Sequence, residues 1–113
     1  MVIEMPKHEF GIMNICPKKG EIYDQYEPER FNCISVDDDY ILPLLKKMKK
    51  VKLYWHTLDR PELGLAYYGI TIIPPESIDS IIEMILDNKN LTELLILLSK
   101  AQDENKFVIH FGI

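Results

Sequence analysis

The chain has 113 residues, 47% of them apolar, with 13 Lys+Arg against 18 Asp+Glu. That composition fits one folded domain spanning 1–113 and excludes intrinsic disorder. The net charge of −5 lacks the cationic surplus needed for nonspecific binding to nucleic acid or anionic membrane.

The chain starts Met1-Val2-Ile3-Glu4-Met5-Pro6, without a basic stretch leading into an apolar one. No secretory leader is therefore expected, and the expected location is the cytoplasm. No apolar run reaches the ~18 residues of a membrane span. Residues 8–16 carry Phe10, Ile12, Met13 and Ile15 and are read as containing a strand. Pro17-Lys18-Lys19-Gly20 ends it in turn residues. Residues 21–30 are polar, with Tyr23 and Tyr26 among carboxylates, and read as a loop or short edge strand.

Residues 31–36 read as a strand, rich in β-branched and aromatic side chains. Asp37-Asp38-Asp39 reads as a helix cap, because carboxylates there complement the positive end of the helix dipole. The helix that follows carries Ile41, Leu44, Leu45 and Met48 on one stripe, with Pro43 predicted to bend it or to mark its start. Five lysines between Lys46 and Lys52 read as a solvated face.

Residues 51–57 and 65–73 alternate and read as an antiparallel hairpin around the loop at 59–64. Pro74-Pro75-Glu76-Ser77 opens a second helix with Ile78, Ile81, Ile82, Ile85 and Leu86 as its stripe. A third runs from about Thr92 to Asn105, and residues 106–113 alternate as a last strand. The expected fold is α+β. An antiparallel or mixed sheet of about five strands carries three helices on one face. The βαββααβ core is a ferredoxin-like variant with a strand added at the N-terminus.

Catalytic signatures are missing. The glycines at 11, 20, 64, 69 and 112 form neither phosphate-cradling pattern. Ser35, Ser77, Ser80 and Ser99 offer no nucleophile elbow. His8, His56 and His110 have no metal-ligand spacing and read as surface or half-buried polar groups, so neither metal nor cofactor is expected. Cys16 and Cys33 read as free thiols.

Two features exceed what folding needs. Tyr54, His56, Tyr67 and Thr71 are predicted on the sheet face opposite the helices, as a ligand or partner surface. Either that face is open, or the N-terminal segment folds over it. In the third helix, a stripe through Leu94, Leu95 and Leu98 leaves Ile96 and Leu97 pointing away, as a partner or homodimer interface.

The leading expectation is a non-catalytic protein–protein interaction module whose partner is another protein or a second copy, not nucleic acid or membrane. A small acidic inhibitor of a basic enzyme, of the immunity-protein kind, is its concrete form. Carboxylates at Glu21, Asp24, Asp59 and Glu62 would steer the encounter. The rival is a small-ligand binder or enzyme with a pocket on the open sheet face and His56 as acid and base.

Overall fold

Residues 6–113 are described by a computed structural model. Residues 1–5, which bear on the leader, lie outside the described residues. The strands are β1 (Lys7–Met13), β2 (Ile34–Asp37), β3 (Lys52–Trp55), β4 (Pro61–Leu63), β5 (Ile70–Ile73) and β6 (Phe107–Phe111). The helices are α1 (Asp38–Ile41), α2 (Leu45–Met48), α3 (Pro75–Ile85) and α4 (Thr92–Asp103). A 3-10 turn at Leu42–Leu44 joins α1 to α2, so they form one helical unit that tightens at Pro43. Proline has no N–H to continue the α-helical ladder, which is why the break falls there.

The fold is α+β, one antiparallel sheet with three helical units on one face. The six strands lie in the order β2-β1-β6-β5-β3-β4, every neighbouring pair antiparallel. This differs from the ferredoxin-like order. The added N-terminal strand, β1, lies inside the sheet, between β2 and β6. Its residues explain the position. Phe10 packs toward the helices and Met13 toward the other face, and a strand that is apolar on both sides needs neighbours and cover on both.

Two further differences concern the hairpin. Pro61–Leu63, read as loop, forms a short strand at the sheet edge, where proline's missing N–H is harmless. Residues 65–69, read as strand, turn instead: Gly64 has a φ of 89°, and Gly69 N–H bonds to the Ala66 carbonyl. β3 and β5 still pair, with Tyr54 opposite Ile72.

The helix-side core joins Phe10, Val36, Leu53, Ile73 and Val108 of the sheet to Ile41, Met48, Ile78, Ile81, Ile85, Leu94 and Leu98 above it. Each such side chain contributes on the order of 1.5–3 kcal/mol by leaving water. The far face holds a second cluster, Met13, Ile70, Ile72, Ile109 and Phe111. Tyr23, Phe31, Cys33 and Leu58 cover it. The N-terminal segment thus folds over the far face. Among the described residues no helix is long and apolar enough to cross a membrane.

Candidate functional site

The far-face cover is built from the twenty residues 14–33, which link the neighbouring strands β1 and β2. Two antiparallel neighbours need only a two-residue turn, so this connection is far longer than pairing requires. It is pinned at several points. Tyr23 N–H donates to the His56 carbonyl at 2.7 Å, and His56 Nδ1–H donates back to the Tyr23 carbonyl at 2.9 Å. Gly20 N–H reaches the Asp59 carboxylate at 2.8 Å. The Tyr26 hydroxyl donates to Glu9 while its ring meets Phe111 edge-on, with centroids 5.5 Å apart. The bond to Glu9, followed by burial, pushes the Tyr26 phenol up to about 12. Burial likewise raises the Cys33 thiol to about 12; both cysteines are free.

Pinned beneath, the segment is exposed above. Ile15, Ile22 and Tyr26 are 79%, 68% and 66% exposed. Between Gly20 and Glu29 the chain carries four carboxylates and no cation. The bond from Gly20 to Asp59 brings the turn before β4 against this acidic stretch. An open hollow of about 750 Å³ borders it, lined by Pro6, Lys7, Glu9, Tyr26, Ser35, Asp37 and Ile113.

The four residues predicted for one surface divide between two places. Tyr54 belongs to the far-face cluster, and His56 is clasped by Tyr23 with its Nε2 facing Ile70 N–H at 3.5 Å. Thr71 turns the other way. It lies opposite His110, whose ring rests 4.9 Å from that of Phe10 in the helix-side core. Tyr67 bonds to Asp38 on that same side.

Around Thr71 lies a polar chain that the sequence reading did not assemble. Ala66 N–H donates to Thr71 Oγ1 at 2.8 Å, and Thr71 Oγ1 is 3.1 Å from His110 Nδ1. His110 Nε2 meets His8 Nδ1 at 2.9 Å, and His8 Nε2 meets Asp38 Oδ1 at 2.8 Å. The Tyr67 hydroxyl donates to Asp38 Oδ2 at 2.7 Å. His8, His110 and Thr71 are fully buried, so neither histidine is the surface or half-buried group expected.

Asp38 also corrects the reading of the Asp run. The turn begins at Asp37, yet no side chain caps it; Asp38 instead accepts from the fully buried His8 and the half-buried Tyr67. Burial alone would raise its carboxyl, but the bonds from His8 and Tyr67 outweigh burial and hold it low. The bond to Asp38 in turn pushes Tyr67 up to about 12. Burial, then the neighbouring His8, lowers His110 well below the ordinary imidazole value. Alternation held the signal for this chain: His8 shares a face with Phe10 and Ile12, and His110 shares one with Val108.

On α4 the stripe runs through Leu94, Leu97, Leu98 and Ala101, all buried. Leu97 therefore packs into the core, and the i, i+3, i+4, i+7 register is met one residue away from the expected phase. Ile96 remains 64% exposed, beside a small hollow of about 290 Å³ that Ile12, Ile34 and Leu97 help to line. Among the described residues no three His, Cys, Asp or Glu side chains are arranged to hold a metal ion. No protein-family model, curated protein or solved structure matches the chain.

Proposed function

We propose that the protein is a non-catalytic protein-binding module, and that segment 14–33 is its partner-facing surface. The observation that carries this reading is the segment's length and double character. Twenty residues span a gap that two would close, and connections of that length in small domains are usually functional. Their inner side is fixed to the sheet, while their outer side offers Ile15, Ile22 and Tyr26 among Glu21, Asp24, Glu27 and Glu29. Fixing a loop before binding lowers the entropy cost of the complex. Exposed carboxylates speed encounter with a basic surface. A small acidic inhibitor of a basic enzyme, of the immunity-protein kind, is the concrete form. His56 supports this reading over the ligand-pocket alternative, because backbone groups of Tyr23 and Ile70 already occupy both ring nitrogens.

The test is capture of a partner from the protein's own organism, followed by native mass measurement. A stoichiometric heterocomplex is expected, with association slowed by added salt and by the combined changes Glu21→Lys, Asp24→Lys and Glu27→Lys. A strict monomer that retains no protein at low salt would refute the proposal. So would a complex indifferent to those changes and to Ile22→Ser.

A further inference from the structure

The chain of hydrogen bonds from Ala66 to Asp38 has a direction. A carboxylate only accepts, so His8 Nε2 must carry a hydrogen. His8 Nδ1 and His110 Nε2 then share one hydrogen across 2.9 Å. When each ring carries a single hydrogen, one arrangement satisfies every atom. Thr71 O–H donates to His110 Nδ1, His110 Nε2–H donates to His8 Nδ1, and His8 Nε2–H donates to Asp38. Thr71 Oγ1 accepts from Ala66 N–H at the far end.

One more proton on either ring breaks this pattern. With the proton on His110, its Nδ1–H must donate to Thr71 Oγ1. With it on His8, His8 Nδ1–H donates to His110 Nε2, and the hydrogen of His110 moves to Nδ1 with the same result. In both cases Thr71 accepts twice, and its own hydroxyl hydrogen loses its acceptor at a fully buried position. A buried donor without a partner is costly, and the cost falls where the 65–69 turn is tied down.

We propose that this chain is an acid-sensitive latch: one more proton on the His8–His110 pair turns the Thr71–His110 bond round, strands the Thr71 hydroxyl hydrogen and loosens the 65–69 turn. The C-terminal residues would loosen with it, because Gly112 N–H bonds to the Gly69 carbonyl and Ile113 N–H to the Tyr67 carbonyl. The surroundings leave the pair few other charges to answer to. Asp38 and Tyr67 are the titratable groups joined to it. Lys7 and Glu9 alternate to the opposite face of β1. Asp37 and Asp39 flank Asp38 without bonding the pair, and the exposed Tyr68 meets the Tyr67 ring edge-on. Phe10, the Val36 residue opposite His8, and the helix-side cluster are apolar. Burial, the larger cause of the lowered proton affinity of His110, favours a single hydrogen on that ring. Neither the hollow beside Tyr26 nor the one beside Ile96 is lined by any of these five side chains, so the chain is placed for holding rather than for substrate chemistry.

The sign follows from linkage. The Thr71 hydroxyl keeps its acceptor only while His110 Nδ1 is bare, so a proton on that ring favours the opened turn, by up to about tenfold for each pH unit below the ordinary imidazole value of about 6.5. Nitrogen NMR of the imidazoles and amide exchange on the unmodified protein test this directly. At pH 8 each ring should carry its hydrogen on Nε2. As pH falls from 6.5, the protection factors of Ala66 and Gly112 should drop about tenfold per unit, and that of Leu98, which reads global unfolding, should stay far larger at every pH. A hydrogen on His110 Nδ1 at pH 8 would overturn the proposal. So would unchanged protection at Ala66 down to pH 4.5, or protection at Ala66 equal to that at Leu98 throughout. Thr71→Val should remove the pH response of Gly112 and Thr71→Ser should restore it. A Thr71→Val protein with the parental response refutes the latch, and if that variant does not fold, the measurements on the unmodified protein decide.

Discussion

The two faces of the sheet are buried by different means. On one side three helical units lay regular apolar stripes over Phe10, Val36, Leu53, Ile73 and Val108. On the other, an irregular segment covers Met13, Ile70, Ile72, Ile109 and Phe111 with a few side chains and a few hydrogen bonds. Regular elements satisfy their own backbone groups and can spend every stripe position on packing. An irregular cover must find backbone partners one at a time, as Tyr23 does with His56, and it leaves apolar residues such as Ile22 in water. The helix side puts its apolar residues into packing, and the far side leaves some of them exposed.

Truncation breaks this comparison most sharply. Leu98 is fully buried between α4 and the sheet, and Leu98→Ala should cost about 2–5 kcal/mol, because packed helices relax little into the cavity. Met13 on the far face is 2% exposed, yet Met13→Ala should fall at the lower end of that range, since segment 14–33 can settle into the space. Denaturant midpoints at constant m-value measure both. An equal or larger loss at Met13 would mean that the far side is packed as rigidly as the helix side.

Acid should act next, and from the helix side. Folding lowers the proton affinity of the buried His110. Its contribution is fully present above the unfolded value of about 6.5 and is lost as pH falls toward the depressed folded value. The slope is about 1.4 kcal/mol per pH unit over that window. Asp38, also lowered, adds a separate loss as pH falls below about 4. Urea melts at pH 7, 6 and 5 read the first window, and His110→Gln should flatten it.

The same asymmetry decides what the sequence revealed. Stripes at 78, 81 and 85 and the alternation in 107–111 repeat a geometric period, so the helices and most strands could be read directly, as could the α+β class. Strand order could not, because it depends on which strand is apolar on both sides. The doubled apolar character of Phe10 and Met13 shows this only once pairing is known. The far-face cover has no period to read, so Glu21–Arg30 was legible only as polar chain with two tyrosines. Side-chain partnerships were the least legible. His8 and His110 are 102 positions apart. His56 and Thr71 were placed on one face by counting from strand ends that shift when residues 65–69 turn.

A milder change separates cover from core. Tyr23 is half-buried against the far-face cluster, while its backbone, not its ring, clasps His56. Tyr23→Ala should therefore cost only about 1 kcal/mol. It should nonetheless speed proteolytic cleavage within 14–33 severalfold, with little change in cleavage elsewhere. Uniform sensitivity across the chain would tie the segment to global unfolding and remove the distinction between the two layers.

The smallest effect on folding is expected at Ile96, on the outer side of α4. Its neighbours Leu94, Leu97 and Leu98 supply the stripe that holds the helix down, and Ile96 itself is 64% exposed. Ile96→Ser should shift stability by no more than about 0.5 kcal/mol, as surface changes generally do. Its mass in solution is the more telling measurement. If α4 pairs with a second copy, the exposed Ile96 is its contact, and the serine variant should lower the apparent mass of a parental dimer at equal concentration. A parental monomer, or a dimer that Ile96→Ser leaves intact, removes α4 as a self-association surface. Segment 14–33 would then stand as the one face of the two that combines surplus apolar area with charge.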